Sequence, residues 1–270
     1  MLEFMCFGSG SSGNSYYLSG KNNAVIIDAG IGIRTMKKYF LNYDIDTSRI
    51  NGILITHDHA DHIATAGLLS TYLNVNLYVS PYVYNKLKCC ALRYKVDIKR
   101  LMVVDADSAF QLGDFIINPF RIPHDATDNY GYSIQYENDV FTLMTDIGRP
   151  TSKIEYYIKK SNYLVIEADY DPEMLAINPR YDKMLKNRIV GGLGHLSNYQ
   201  VSDLLLSNYH EKLNFIALCH LSQENNKPDI AFNIVKTKLE EHKLIEGVDY
   251  KLEVLKRKHV SGPWTLFRPV

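Results

Sequence analysis

Residues 56–62 read Thr56-His57-Asp58-His59-Ala60-Asp61-His62, a His-x-His-x-Asp-His run set directly after the apolar stretch Ile53-Leu54-Ile55. Three imidazoles and a carboxylate within six residues, in a chain with nine histidines, are poor material for surface or core filler. Imidazole and carboxylate together suit borderline divalent metals such as Zn²⁺. The spacing predicts a strand that runs out at Thr56, a tight turn, and a helix that starts near Ala60. His57 and His59 then face one metal from the loop, and Asp61 and His62 face a second from the helix start. A solvated polar turn is the bland alternative, and it leaves the histidines unexplained.

Further ligands are expected at the ends of other strands. Phe115–Ile122 reads as a strand that Pro123-His124-Asp125 ends, Val140–Thr145 as one ending at Asp146, and Phe215–Cys219 as one ending at His220. Each strand delivers one metal-competent side chain at its C-terminal end. With the first run, the candidate ligands are His57, His59, Asp61, His62, His124, Asp146 and His220. One metal needs three or four protein ligands, so this set points to two metals sharing a carboxylate.

With these residues placed, the chain resembles the metallo-β-lactamase superfamily over nearly its whole length. The resemblance implies an α/β fold, a four-layer αββα sandwich with the site on one edge of the two sheets, formed by residues 1–270 as a single domain. It implies that His57, His59 and His124 hold the first metal, that Asp61, His62 and His220 hold the second, and that Asp146 bridges them. Asp28, ending the strand Ala24-Val25-Ile26-Ile27, matches the family's early Asp, which supports the site without necessarily binding metal. Taken alone, Asp28 is better read as a turn or cap aspartate. A narrower resemblance is carried by Gly8-Ser9-Gly10-Ser11-Ser12-Gly13-Asn14-Ser15, Gly194-His195-Leu196-Ser197-Asn198 and Cys219-His220-Leu221-Ser222-Gln223-Glu224-Asn225-Asn226. Together these are similar to the YycJ/WalJ group of bacterial proteins, associated with 5′→3′ exonuclease action on double-stranded DNA. Ribonuclease Z is also similar. Its His-Glu-Ala-Thr motif is echoed by Ile166-Glu167-Ala168-Asp169, with Ile replacing the first His, and its His-Ser-Thr motif by His195-Leu196-Ser197.

Two divalent ions about 3.5–4 Å apart can hold a hydroxide with its pKa lowered to near neutrality, and they withdraw charge from a phosphoryl oxygen. That suits in-line attack on a phosphodiester. The leaving alkoxide then needs a proton. His195 is the candidate donor, with Glu167 orienting it and favouring the imidazolium. Asp61, His195 and Glu167 are thus the candidate catalytic residues. His195 could instead be a structural histidine or a further ligand, and Glu167 a salt-bridge partner. The Gly/Ser loop 8–15 reads either as an anion nest of backbone N–H groups or as an ordinary turn. Ser222, Asn225 and Asn226 read either as phosphate donors or as caps for a helix starting near Pro228.

At 270 residues and 46% hydrophobic, one domain with a large core is expected. Lys plus Arg equals Asp plus Glu at 30 each, which disfavours binding by bulk electrostatics. Basic side chains nevertheless cluster at Lys86–Arg100, at Lys183, Lys186 and Arg188, and at Lys256-Arg257-Lys258. Such runs are usually solvated faces, and a pair of them beside the metals would make a nucleic-acid track. Cys6, Cys89, Cys90 and Cys219 show no disulfide or zinc-ribbon spacing, so reduced thiols are expected. Residues 1–7 read as a first strand rather than a signal peptide, and no run approaches a membrane span. A cytoplasmic protein is expected, which argues against an antibiotic-destroying lactamase.

The pattern predicts strands near 2–7, 15–19 and 24–28, a helix near 33–42, the strand that leads into the histidine run, a helix near 60–73, the strand 76–80 and a Pro81-started helix. Strands dominate 101–145. Helices near 151–160, 180–188, 199–208 and 229–242 then alternate with strands 163–168, 214–219 and a last strand near 250–255. This compact pattern lacks a flavodoxin-like domain, a C-terminal helical domain, a long inserted arm between His124 and Asp146, and a large insert between Asp146 and His220. A di-iron redox module and a glyoxalase II-type thioesterase are therefore disfavoured. The expected function is a dinuclear phosphodiesterase or nuclease using two divalent metals, Zn with Mn as the alternative. DNA is the expected substrate and 5′→3′ exonuclease action the expected mode. A small-molecule hydrolase of a cyclic phosphodiester or thioester on the same site is the alternative.

Overall fold

Runs of Val, Ile, Leu, Phe and Tyr broken by Gly, Asn and Asp become strands, since branched and aromatic side chains suit a buried pleated surface. In the computed structural model, which describes residues 1–267, they build two seven-stranded sheets. The first half of the chain runs β1 (Leu2–Gly8), β2 (Ser15–Ser19), β3 (Ala24–Ile27), α1 (Ile33–Asn42), β4 (Ile50–Leu54), α2 (Ala60–Ile63), α3 (Ala66–Leu73), β5 (Asn76–Val79), α4 (Pro81–Cys89), α5 (Ala91–Tyr94) and β6 (Leu101–Val103). The hairpin β7 (Phe110–Leu112) and β8 (Phe115–Arg121) follows, then β9 (Tyr130–Tyr136) and β10 (Asp139–Met144). Beyond these lie α6 (Ser152–Ile158), β11 (Tyr163–Glu167), α7 (Pro172–Ile177), α8 (Lys183–Val190), α9 (Asn198–Asn208), β12 (Phe215–Cys219), α10 (Pro228–Glu240), β13 (Lys251–Val254) and β14 (Ser261–Leu266). Strand orders are β14-β1-β2-β3-β4-β5-β6 and β13-β12-β11-β10-β9-β8-β7.

The chain divides into two units, one built from Met1–Pro119, Ala126–Tyr130 and Lys256–Phe267, the other from Phe120–Asp125 and Gly131–Leu255. Each has its own core. In the first, Ala24, Ile26, Ile53 and Leu77 pack with Met36 and Phe40 of α1 and with Ala66 and Leu69 of α3. In the second, Met144, Leu164, Ile166, Ile216 and Leu218 pack with Val201 and Leu205 of α9 and with Ala231, Val235 and Leu239 of α10. The helix positions recur every three or four residues, so each helix lays one apolar stripe on its sheet. Each fully buried Leu, Val or Ile contributes about 1.5–3 kcal/mol. Strand residues of the other parity, such as Val25, Ile27, Phe141, Val165 and Ala217, are buried as well. Both faces of each sheet are therefore covered, which is why these strands read as continuous apolar runs.

Parallel pairing positions the chemistry. β3 pairs in parallel with β4, and β10 with β11 and β11 with β12. Their C-terminal ends therefore share an edge within each unit.

Three local expectations are corrected. The helix expected over 60–73 is two helices, because Thr65 gives its N–H and its hydroxyl to Ala29 O, at 2.9 and 3.0 Å, and so leaves the helical ladder. The helix expected from 180 starts at Lys183, where Asp182 caps it by accepting from Leu185 N at 2.7 Å. The strand β14 is absent from the sequence expectation because Gly262-Pro263 breaks the strand pattern. It is tolerated because β14 lies at the sheet edge, where Pro owes no ladder hydrogen bond. Among the described residues no helix is long and apolar enough to cross a membrane.

Candidate metal centre

In the first unit, the ends of β3 and β4 meet at Asp28 and Thr56. Asp28 turns into the left-handed region at φ 61°, which swings its carboxylate back across the strand ends. It accepts from Thr56 N–H at 2.8 Å and from Thr56 Oγ1, and it holds His62 Nδ1 at 2.7 Å. Burial pushes the Asp28 carboxyl up, and the His62 and Thr56 contacts pull against that. A carboxylate on Nδ1 leaves Nε2 as the ligating nitrogen of His62. Thr56 Oγ1 also lies 3.0 Å from His57 Nδ1. The rings of His57 and His59 have centroids 4.7 Å apart, and those of His57 and His62 4.0 Å. Asp61 Oδ2 stands 3.4 Å from His62 Nε2. The expected gathering of His57, His59, Asp61 and His62 is therefore present, with Asp28 behind it.

Asp58, the residue between the first two histidines, does other work. It accepts from Thr127 N–H at 3.1 Å and Thr127 Oγ1 at 2.6 Å, and pairs with Lys86 Nζ at 2.6 Å. Burial opposes its charge, but the Lys86 and Thr127 contacts hold its carboxyl below the usual range. Lys86 of the first basic cluster is thus a clamp on the histidine turn.

In the second unit, β10, β11 and β12 deliver Asp146, Glu167 and His220 to one edge. Asp146 and His220 both take positive φ, 56° and 55°, within two residues of their strand ends. Asp146, Glu167, His195 and His220 each place a donor atom within 4.8 Å of the others. His220 Nε2 is 3.5 Å from Asp146 Oδ1. His124 gives Nδ1 to Gly194 O at 3.1 Å and turns Nε2 toward Asp146 Oδ1 at 3.6 Å.

Glu167 is fully buried and fastens the turn after β10 and the His195–Leu196 loop to the end of β11. Its Oε2 accepts from Ile147 N–H at 2.8 Å and Leu196 N–H at 3.2 Å, and its Oε1 holds His195 Nδ1 at 2.8 Å. Burial opposes the Glu167 charge, yet His195 and the hydrogen bonds bring its carboxyl down to about 2. Burial likewise opposes the imidazolium of His195, but Glu167 and Asp169 raise it to about 9. The loop that carries His195 is pinned by His195 N–H to Ile189 O at 2.9 Å. Gly194 is required there, since a Cβ would lie 2.1 Å from that same oxygen.

Residues 23–207, well over half of the 270, match the beta-lactamase superfamily domain. The chain belongs to the beta-lactamase superfamily. It is 29% identical over 251 residues to the exodeoxyribonuclease WalJ of Streptococcus pneumoniae serotype 2, covering 93% of each chain. It is 29% identical over 240 residues to the exodeoxyribonuclease YycJ of Bacillus anthracis, covering 89% of this chain and 90% of that one. The metallo-beta-lactamase fold protein YhfI from Bacillus subtilis superposes with a TM-score of 0.69 at 14% identity, over 97% of this chain and 100% of that one. This last likeness concerns the fold alone: two sheets flanked by helices.

The donors of this superfamily chain suit divalent cations. They are imidazole and carboxylate only, and His62 and His124 each have Nδ1 held by an oxygen acceptor. Sequence reading missed Asn14 and left Thr56 without a role. Asn14 Oδ1 accepts from Gly10 N–H at 2.8 Å and Tyr16 O–H at 3.3 Å, so its Nδ2 faces Asp61 Oδ2 at 3.1 Å and His62 Nε2 at 3.0 Å. The Gly/Ser loop therefore serves to hold Asn14. Its Ser9, Gly10, Gly13 and Asn14 N–H groups are hydrogen-bonded inside the protein. Asn225 and Asn226 are buried, with Asn226 bonding Ala168 O and Asn198 Oδ1 and Asn225 Oδ1 accepting from Asn178. They brace the loop after His220 and are not phosphate donors. The fixed Ser-Asn spacing in that motif was legible, but its partners lie 28 to 58 residues away.

Proposed function

We propose that the chain is a metal-dependent phosphodiesterase acting on DNA, specifically a 5′→3′ exonuclease. The Glu167–His195 pair carries this reading, because expelling an alkoxide from a phosphodiester calls for a proton donor, whereas the thiolate of a thioester leaves without one. The two exodeoxyribonuclease relatives support DNA as the substrate. His57, His59 and His124 are the ligands we assign to one ion and Asp61, His62 and His220 to the other, with Asp146 shared; zinc suits these donors, and manganese is the alternative. Two such ions would supply an activated water and charge neutralisation at phosphorus.

The protein's own part is separate from theirs. Asp28 and Thr56 orient the histidines, and Asn14 restrains Asp61. Glu167 holds His195 by Nδ1, so Nε2 carries the proton for the leaving oxygen. Because the superfamily match over residues 23–207 runs through both units, we read 1–270 as one working domain. Four free cysteines suit a reducing compartment, and we read the location as cytoplasmic.

The test is purified protein with Mn²⁺ or Zn²⁺ against 5′-phosphorylated duplex DNA, single-stranded DNA, RNA, bis(p-nitrophenyl) phosphate and thioesters. Stepwise loss of nucleotides from the 5′ ends of duplex DNA is expected. Cleavage of the small diester with DNA neither cut nor competing would replace DNA by a small substrate, and cleavage of thioesters alone would remove the phosphodiesterase reading.

A further inference from the structure

The helix α8 has no buried residue. Beside and along it, Met184 is 82% and Ile177 80% exposed, and Val190 and Leu193 are exposed as well. Helices in proteins are held mainly by burying an apolar stripe, and eight residues alone do not sustain one in water. Here the helix is kept by its Asp182 cap and by the bond from His195 N–H to Ile189 O. Met184, Ile177, Val190 and Leu193 thus contribute little to folding and stand available for contact along one stretch of chain.

Charge says what it contacts. Between Ala176 and Leu196 the chain carries Arg180, Lys183, Lys186 and Arg188 against one acid, Asp182, in a protein whose formal charge is zero. Arg180 and Arg188 are tied to Glu224 and Asp125. Lys186 Nζ donates to the neutral Ala176 O at 2.8 Å and pairs with no acid among the described residues, and Lys183 is exposed. Arg149 Nη1 adds a cation on the same loop through Gly192 O at 3.2 Å. Cations interleaved with apolar side chains, on the segment that leads into His195, fit a polyanion whose end presents an apolar face.

Resting on the DNA reading above, we propose that α8 and the Gly191–Gly194 loop form the seat for the end of a nucleic-acid duplex. Lys183, Lys186 and Arg149 take phosphates, and Met184, Leu193 and Ile177 lie against the exposed face of the terminal base pair. Apolar side chains used on base steps in this way are a recurring device of DNA-binding proteins. α8 is about 12 Å long, which spans roughly three phosphates of one strand.

The experiment uses metal-loaded protein and fluorescence anisotropy. The probe is a 5′-phosphorylated blunt duplex with phosphorothioate-protected ends, and the competitor is the same duplex closed at both ends by hairpin loops. Wild type should prefer open ends by about tenfold. Met184→Ser/Leu193→Ser should bring the two forms within about twofold, without changing the melting temperature or the salt slope. Lys183→Gln/Lys186→Gln should weaken both forms alike and make the salt slope shallower by about two. Serine variants that retain the preference would overturn the seat. So would light scattering showing a wild-type dimer that the serine variants split, because the face would then belong to a second copy. Wild type that cuts DNA while the serine variants bind normally removes only the seat. Wild type that neither cuts nor binds DNA removes the nuclease reading with it.

Discussion

Glu167 decides what His195 can do. Its carboxylate is buried at the end of β11, and both of its oxygens are committed, one to imidazole and one to backbone N–H groups. A buried anion beside His195 favours the protonated ring, in line with the rise to about 9. The proton is therefore fully present below about 6.5, the ordinary histidine value, and is lost as pH rises through the raised one. Bound cations would pull that upper limit down. Cleavage of a diester with a poor leaving group should accordingly fall on the alkaline side at or below pH about 9, and Glu167→Gln should move this limb to lower pH. His195→Ala should retain metal and lower turnover by roughly 10²–10⁴-fold. With p-nitrophenolate as leaving group, which needs no proton, the defect and the alkaline limb should both shrink. Equal losses on good and poor leaving groups, or loss of metal from the variant, would show that His195 is not the proton donor.

At the scale of elements, parallel strands do most of the positioning. Asp146, Glu167 and His220 could be picked out because each follows a short apolar run that reads as a strand, and the histidine run because its composition has few other uses, whereas Asp28 alone reads as a turn or cap aspartate and was placed only by the family resemblance. What was not legible is how turns are held against one another. Asn14 meets Asp61 across 47 residues, and Thr65 leaves its helix for carbonyls 34 and 36 residues back. Periodicity describes neighbours in sequence, and these contacts are fixed by topology. Gly30 makes the same point. A Cβ there would stand 1.6 Å from Asp61 O, so the turn after β3 packs directly on the Asp61 backbone. Gly30→Ala should therefore destabilise the protein by about 1–3 kcal/mol and weaken metal binding by displacing Asp61. Urea denaturation of the metal-free protein and metal titration measure the two effects. A variant with wild-type stability and affinity would mean that this packing does not restrain the site.

At the scale of the whole molecule, a formal charge of zero and a local basic surface together set how substrate is met. Bulk attraction is absent, so on the proposed function affinity would come from a few phosphate contacts and from bound metal. Metal occupancy is therefore the property on which the proposed chemistry depends. Stripping the protein with chelator and restoring Zn²⁺ or Mn²⁺ in steps, while following nucleotide release from 5′-phosphorylated duplex DNA, tests this most directly. Activity should climb until two metals are bound per chain. Full activity with one metal per chain, metal uptake that stops at one, or two bound metals without any DNA cleavage would contradict the two-metal exonuclease.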